Sequence, residues 1–219
     1  EVIIVVGGYS YEKKNSLSDW FIHFDHLLFS HRYLSLALRR QSFIGVGKNL
    51  CYKKSLFTDS REFTNYLNIT SGDDDLFVNQ VANSRNCRAV VSPSAWVVAH
   101  FQNNSKAWKY HKRNHFLSSN FLSSTSSFIF MTETITRYLF WVAFGLGVAT
   151  HLTNIPVLSL FFLLFLIRII VQQRFFYKAS KLFSTYWFGF SSILFELYQP
   201  IVNLFFWLGR KRMLRHRRL

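Results

Sequence analysis

The apolar residues divide the chain into two unlike parts. Over residues 1–127, short apolar runs alternate with polar loops, and from about Phe128 to Leu208 the residues Phe, Leu, Ile, Val and Trp dominate. The opening "EVIIVVGGYS" is a β-branched run closed by two glycines, which predicts a buried parallel strand. Because this run starts at Glu1 without a Met, we expect the chain to be a piece of a longer protein.

A long aromatic helix is predicted after the strand. In "SLSDWFIHFDHLLFSHRYLSLAL", apolar residues such as Trp20, Phe24 and Leu28 recur at helical spacing. Ser16 or Ser18 is the expected N-cap. The apolar face is wide, and two interpretations stay open: it packs into a core, or it rests on a bilayer surface.

Shorter elements follow this helix. "FIGVGKNLCYKKSLF" predicts a glycine-containing loop, a strand and a Lys-rich turn, and "LFVNQVAN" predicts a short helix. Two strands are predicted around Pro93 in "CRAVVSPSAWVVAHF", and "SKAWKYHKRNHFLSS" reads as a basic helix. We therefore predict an α/β domain over 1–120 and a Ser-rich hinge over 121–134.

The apolar region 135–208 predicts membrane helices. Ile135–Thr150 and Ile155–Val171 form a hairpin around "HLTNIP", each at the short end of the roughly 17–25 residues that span a bilayer. The third segment, Trp187–Leu208, contains Glu196, Gln199, Pro200 and Asn203. We favour a re-entrant or interfacial helix there over a full span, because buried charge and an internal proline both oppose spanning.

The charge distribution points to a membrane surface. The chain has 26 Lys and Arg against 11 Asp and Glu, a net charge of +15, and six of these cations lie in the last ten residues of the basic tail 209–219. Cations next to an apolar segment follow the positive-inside rule. This pattern predicts a multi-pass protein of the inner (cytoplasmic) membrane, with domain and tail in the cytoplasm. No RNA-recognition signature is present, so we expect membrane lipids rather than nucleic acid as partners.

Three of the eleven acidic residues stand side by side at Asp73, Asp74 and Asp75, just before the short helix. Mutual repulsion raises the pKa of adjacent carboxyls, whereas a helix N-terminus lowers it, and this balance suits a general base near neutral pH. Two other interpretations are solvated helix-capping acids and a metal site, although no second carboxylate cluster lies nearby. Cys51 and Cys87 lack the spacing of a zinc site or disulfide framework, which favours a reducing compartment.

The order of these motifs carries a resemblance. "GVGKNLCYKKSLF", "SGDDDLFVNQVA", "WKYHKRNH" and then apolar helices with "LIRIIVQQ" and "FELYQP" resemble the bacterial membrane-associated family-2 glycosyltransferases. Those are inverting enzymes with a GT-A fold that use nucleotide-sugar donors. The resemblance implies a fold class in which 1–120 is the acceptor-side, C-terminal part of a GT-A α/β domain, followed by an α-helical transmembrane region.

The resemblance also implies site residues. A general base within Asp73 and Asp74, with Asp73 narrowly favoured, would deprotonate an acceptor hydroxyl that attacks the anomeric carbon, and Asp75 would contact substrate. The "GKNL" loop is similar to the family's GxNxAY/F stretch, which assigns Gly47 and Asn49 to the acceptor side. A plain turn before a strand is the alternative for this loop.

The helix "WKYHKRNH" occupies the place of the family's QxxRW motif but departs from it. His111 stands for Gln, Asn114 for Arg and His115 for Trp, which puts polymer synthesis in doubt. Trp108 and His111 are still expected to bind substrate. Lys112 and Arg113 offer cations for the leaving diphosphate, or alternatively for lipid headgroups.

The expected partners are a nucleotide-sugar donor, a glycan or lipid-linked acceptor, and membrane lipids. A divalent cation, Mg²⁺ or Mn²⁺, is implied at a DxD motif expected before Glu1, so we expect the 219 residues alone to bind no metal and to be inactive. Two other classes stay open: a non-catalytic membrane protein whose basic face binds anionic lipid or a partner protein, and a small transporter or channel subunit. The aspartate triplet favours the enzyme.

Overall fold

The first strand forms where its pattern predicts and lies at the centre of a small sheet. The computed structural model describes residues 3–41, 44–59, 72–119 and 124–216. Strand β1 (Ile4–Gly7) is fully buried at Ile4 and Val6. It pairs with two strands, antiparallel with β3 (Leu50–Tyr52) and parallel with β4 (Cys87–Val90). The predicted parallel pairing is therefore confirmed on one side.

A second sheet continues from the first. After Gly8, β2 (Tyr9–Tyr11) pairs in parallel with β5 (Val97–Ala99). Two strands around Pro93 were the sequence expectation, and β4 and β5 are those strands. The two sheets therefore share a connection through a single residue, which brings Tyr9 and Tyr11 beside the end of β1.

Helix α1 (Leu17–Leu38) forms the main core face. The Ser16 side chain caps it by accepting a hydrogen bond from the Asp19 N–H at 3.1 Å, so Ser16 is the N-cap of the two candidates. Phe21, Phe24 and Leu27 are buried. Between the two interpretations of its wide aromatic face, the structure supports packing into a core.

Three shorter helices complete the α/β part. Helix α2 (Lys54–Asp59) occupies the predicted Lys-rich turn, and helix α3 (Asp73–Val81) begins at the aspartate triplet. Helix α4 (Asn104–Ser118) is the predicted basic helix, capped by the Asn103 side chain. The "GKNL" loop is a 3-10 turn over Gly47–Asn49 that leads into β3.

Three long helices form the rest of the chain as far as the structure describes it: α5 (Ser124–Thr150), α6 (Ile155–Leu182) and α7 (Ser191–His216). The expected Ser-rich hinge differs from this arrangement, since residues 120–123 lie outside the described residues and the chain is helical from Ser124. Helix α7 runs through Pro200 and into the basic tail. Residues 217–219 of that tail, and the side chains from 210 onward, are also outside the described part.

The long helices share a core with the α/β part. The ring of Phe24 on α1 lies 5.1 Å from that of Phe176, 5.4 Å from that of Phe188 and 5.5 Å from that of Phe195. These three rings belong to the end of α6, the following loop and the start of α7. The end of α6 and the start of α7 are therefore fixed to α1 by buried aromatic packing.

Within the described part of the chain, α6 alone is long and apolar enough to cross a membrane, judged by length and composition. Its exposed face includes Leu160, Leu163 and Ile167. Helix α5 covers the other predicted hairpin segment, Ile135–Thr150, but carries Glu133 and Arg137 near its middle. The coarse prediction of a mixed α/β part followed by long helices is confirmed.

Candidate functional site

The aspartate triplet forms the first turn of α3. Gly72 precedes it with φ of +89°, a left-handed conformation in which a side chain is strained. A Cβ atom at Gly72 would lie 2.6 Å from the Ser118 Cβ, so glycine also permits close contact with the end of α4. This geometry aims three adjacent carboxylates in three different directions.

Burial separates the three aspartates. Asp73 is exposed, Asp74 is half-buried and Asp75 is buried. The Asp74 carboxylate accepts the Gly47 N–H at 2.5 Å and the Asp75 N–H at 2.9 Å. Burial, and next to it the charge of Asp75, raise the pKa of Asp74 despite these two hydrogen bonds. Asp74 thus has the perturbed acidity that the triplet was expected to produce.

Asp75 pairs with a histidine from α4. His115 Nδ1 lies 2.7 Å from Asp75 Oδ2, and the His115 ring packs against Phe29 at 4.6 Å between centroids. Burial by itself would lower the pKa of His115, but the charges of Asp75 and Asp74 raise it above its usual value. The second carboxylate oxygen, Asp75 Oδ1, is buried without a hydrogen-bond partner among the described residues.

A cavity of about 680 Å³ lies against this pair, and we call it the acid–base cavity. Asp75 and His115 line one wall, and Tyr9, Tyr11 and His26 line another. Helices α5 and α7 close the remaining side with Ile135, Tyr138, Asn203, Leu204 and Trp207. Its volume is in the range of small-molecule sites, and a few polar groups converge in mostly apolar walls, as such sites require.

One face of α4 supplies part of the polar wall. Trp108, His111, Lys112 and His115 recur at helical spacing and all line the acid–base cavity. Trp108 Nε1 donates to Asp25 at 2.8 Å, and Lys112 Nζ donates to both Asp25 oxygens at 2.6 and 2.7 Å. The Lys112 charge is therefore matched by a carboxylate on α1.

The other two α4 residues of the predicted motif lie elsewhere. Arg113 is exposed and is not among the residues that line the cavity. Asn114 is buried, and its amide nitrogen has no hydrogen-bond partner among the described residues. Of the four α4 site residues that were predicted, the structure thus brings Trp108, His111 and Lys112 together and leaves Arg113 outside. His115 joins the group without having been predicted as a site residue.

The "GKNL" loop is held by the connection between β1 and β2 and by the turn before β5. Asn49 Nδ2 donates to the carbonyl oxygens of Gly8 at 2.7 Å and Ala95 at 2.8 Å, which agrees with its expected role in holding the loop. Lys48 Nζ lies 3.2 Å from His111 Nε2 and 4.7 Å from the centre of the Tyr9 ring. Burial lowers the pKa of Lys48, although Asp74 and Asp75 oppose this effect.

Helix α1 contributes polar residues that sequence reasoning missed. Asp25, His26 and Arg32 line the acid–base cavity from a helix that reads as core. His26 Nε2 bonds the Tyr9 carbonyl oxygen at 2.7 Å, and burial lowers the pKa of His26 to about 3. An available signal was Asp25 itself, a lone acid inside the apolar run "WFIHFDHLLF". Buried acids of this kind need a partner.

Gln199 on α7 completes the group. Its side chain donates to Asp25 at 2.9 Å and accepts from Arg137 at 2.8 Å. Burial by itself would raise the pKa of Asp25. The charge of Lys112, and then the hydrogen bonds from Lys112, Gln199 and Trp108, lower this pKa below its usual value. Two of the interruptions predicted to disfavour a span in α7, Glu196 and Gln199, therefore make polar contacts to α1, α5 and α6.

Within the described ranges, no three His, Cys, Asp or Glu side chains are grouped so that they could hold a metal ion. The divalent cation implied by the resemblance was expected at a motif before Glu1, not at these residues, and it stays a prediction. Comparisons of the chain with protein-family models, with curated proteins and with solved structures find no match. Functional conclusions therefore depend on the chemistry of the site.

Proposed function

We propose that this protein is a membrane-anchored inverting glycosyltransferase, which moves a sugar from a nucleotide-sugar to a glycan or lipid-linked acceptor. The observation that carries the proposal is the half-buried carboxylate of Asp74, whose pKa is raised. It directly precedes Asp75, and Asp75 and His115 line the acid–base cavity, although Asp74 itself does not. A carboxylate whose pKa moves toward neutral is suited to remove a proton from a hydroxyl. The motif order described above supports the same class.

Asp74 is the base in this proposal. Its carboxylate is partly accessible and held by two backbone N–H groups, whereas Asp73 is exposed without such contacts in the described residues. Asp74 takes the proton of the acceptor hydroxyl while the hydroxyl oxygen attacks the anomeric carbon. The bond to the nucleotide diphosphate breaks on the opposite face of the sugar, so the configuration inverts.

Asp75 and His115 act as positioning residues. Their contact joins the first turn of α3 to α4, and it fixes the place of Asp74 one residue earlier. The negative charge of Asp75 also contributes to the raised pKa of Asp74. Loss of this pair should therefore alter the pH dependence of transfer as well as its rate.

The leaving diphosphate needs a cation close to the reacting sugar. Lys112 is paired with Asp25, and Arg113 is exposed. Neither Arg113 nor Lys48 is a lining residue of the cavity, but Lys48 is half-buried and close to the aspartates. Lys48, whose charge interacts with Asp74 and whose amine lies beside His111, is the lysine that we assign to the phosphate groups. A point charge of this kind binds phosphate without demanding one geometry.

The acceptor site is proposed to be the acid–base cavity. Its far wall is formed by apolar side chains of α5 and α7, including Ile135, Leu204 and Trp207. A lipid-linked sugar could enter from that side and present its hydroxyl to the α3 end. In this arrangement α5 and α6 form a hairpin in the inner membrane, α7 lies at its cytoplasmic surface, and the α/β part faces the cytoplasm.

Transfer itself is the test. Membranes from cells that express the whole open reading frame would be incubated with a panel of radiolabelled nucleotide-sugars, and membranes from cells with the empty vector are the control. We expect one donor to label a lipid or glycan fraction with inverted anomeric configuration, determined by NMR. Absence of labelling above the control for every donor, or a retained configuration, would contradict the proposal.

A further inference from the structure

A second cavity, of about 780 Å³, lies between α1, α5, α6 and α7. We call it the arginine cavity, because Arg32, Arg137 and Arg168 all line it. Its remaining walls include Phe24, Leu28 and Phe175, so it combines charged and apolar surfaces. The proposed sugar transfer uses none of its three arginine side chains.

The charges of the arginine cavity do not balance. Arg32 pairs with Glu133 at 2.5 Å, and Arg168 pairs with Glu196 at 2.5 Å. Arg137 contacts both carboxylates, at 3.7 Å in the case of Glu196. Three guanidinium groups thus share two carboxylates among the described lining residues. One cationic charge is left in a largely apolar enclosure, which favours an anionic ligand.

Four buried polar atoms of the α6 and α7 residues that line this cavity have no hydrogen-bond partner among the described residues. Two are donors, Arg168 Nε and Gln172 Nε2. Two are acceptors, Glu196 Oε2 and Gln172 Oε1. Buried polar groups of native proteins are nearly always paired, so this set points to a ligand that supplies acceptors and donors together. Phosphate oxygens would suit the donors, and hydroxyl groups would suit the acceptors.

The position of the cavity favours a lipid as the source of these groups. Arg168 and Gln172 lie on α6, the described helix that is apolar and long enough to cross a membrane. Ile167, Ile170 and Val171 beside them are exposed on the same helix. A lipid that placed its headgroup in the cavity would thus have exposed apolar side chains beside it for its acyl chains.

We propose that the arginine cavity binds one anionic phospholipid with a hydroxylated headgroup, of the phosphatidylglycerol type. The phosphate accepts from Arg168 and Gln172, and the headgroup hydroxyls donate to Glu196 and Gln172. The lipid would fill the space between α1 and the apolar helices. The two cavities share Arg32 in their walls. The lipid contacts proposed here come from Arg168, Gln172 and Glu196, which do not line the acid–base cavity, so the proposal does not depend on sugar transfer.

The test uses the purified protein in detergent and measures lipid affinity by native mass spectrometry of the adducts. Phosphatidylglycerol is compared with phosphatidylcholine, phosphatidic acid and inorganic phosphate. Arg168→Gln and Gln172→Leu each remove part of the site. Arg174→Gln, an exposed position on the same helix, is the matched control for charge. Gln172→Leu leaves both ion pairs in place, so it tests the site even where Arg168→Gln weakens the fold.

We expect phosphatidylglycerol to bind the wild type and Arg174→Gln equally. Both cavity variants should bind phosphatidylglycerol about tenfold more weakly, because each variant loses a hydrogen bond to the charged phosphate. Phosphatidic acid, which lacks the glycerol hydroxyls, should bind more weakly than phosphatidylglycerol. Equal affinity in all variants, or equal affinity for phosphatidylcholine, would overturn the proposal. Displacement of the lipid by millimolar inorganic phosphate would overturn the assignment to a lipid.

Discussion

At the residue scale, ionised Asp74 destabilises the folded protein, because the fold raises the pKa of this residue. Burial and the adjacent Asp75 carboxylate raise the pKa of Asp74 above its ordinary value of 3.8. The folded state therefore binds this proton more tightly than the unfolded state does. Ionisation of Asp74 costs stability in the folded protein, and the cost is complete once the pH exceeds the raised pKa.

The stability cost of ionised Asp74 leads to a prediction for Asp74→Asn. The amide keeps the size and an acceptor for the Gly47 N–H but carries no charge, so we expect a higher unfolding midpoint than the wild type at pH 7.5. Below pH 3.8 both states of the wild type are protonated, so the advantage should shrink as the pH falls toward 4. Thermal unfolding in detergent at pH 7.5 and pH 4 measures both values.

Asp73→Asn is the control for that measurement. Asp73 is exposed and follows Gly72 directly, so the same change of chemistry is made one residue away without removing a buried charge. We expect its midpoint to stay within about 1 °C of the wild type at both pH values, because exposed substitutions usually change stability by less than 0.5 kcal/mol. A lower midpoint for Asp74→Asn at pH 7.5 would show that ionised Asp74 stabilises the fold.

At the element scale, the start of α3 depends on Gly72. Its φ of +89° strains a side chain, and an added Cβ would lie 2.6 Å from Ser118. We expect Gly72→Ala to cost about 1–3 kcal/mol from backbone strain alone. For a chain of this size, that corresponds to a fall of roughly 2–10 °C in the unfolding midpoint, measured by circular dichroism.

The chain offers a matched glycine for comparison. Gly145 lies inside α5 with nothing within 4 Å of an added Cβ. Alanine is favoured over glycine in a helix interior by up to about 1 kcal/mol, so Gly145→Ala should leave the midpoint unchanged or raise it. Equal effects of the two substitutions would mean that the geometry at Gly72 does not limit stability.

Local pattern explains which elements could be predicted. The strand at Ile4–Gly7, the helix capped by Ser16 and the helix that starts at Asp73 are all indicated by residues next to one another in the chain. The polar partners of the site are not indicated in this way. Asp25 meets Lys112 and Gln199, which are 87 and 174 residues away, and no local pattern encodes such contacts.

The same reason accounts for what the aspartate triplet could not reveal. Adjacent acids before a helix predict a shifted pKa, and Asp74 has one. Which carboxylate would be exposed, which half-buried and which paired with His115 depends on how α3 packs against α4 and the "GKNL" loop. Those contacts span 27 residues for Gly47 and 40 for His115, so they follow only from the fold.

At the scale of the whole molecule, α6 and α7 are joined to α1 by a shared aromatic core. This restricts the topology, because the end of α6 and the start of α7 must lie on the same side as the α/β part. With α5 and α6 as a hairpin, its turn near Thr153 would reach the opposite side. If α7 lies at the membrane surface, as proposed, the basic tail after it stays with the α/β part, which is the side that the positive-inside rule favours.

Single-cysteine labelling tests this topology. The background replaces exposed Cys51 with Ser and buried Cys87 with Ala, and then Thr153→Cys or Leu214→Cys is introduced. In intact cells, a membrane-impermeant thiol reagent should label position 153 and not position 214. Lysed cells, in which both positions should react, provide the control. Labelling of position 214 from outside would mean that the tail is exported.

The central claim is that Asp74 is the general base of a sugar transfer, and the transfer rate of Asp74→Asn tests it most directly. Rates would be measured in membranes with the donor found for the wild type, with Asp73→Asn as the matched control and expression normalised. We expect Asp74→Asn to lose about 10²-fold or more in rate, the usual contribution of a general base, and Asp73→Asn to stay within a few fold of the wild type. A near-normal rate for a folded Asp74→Asn protein would contradict the account.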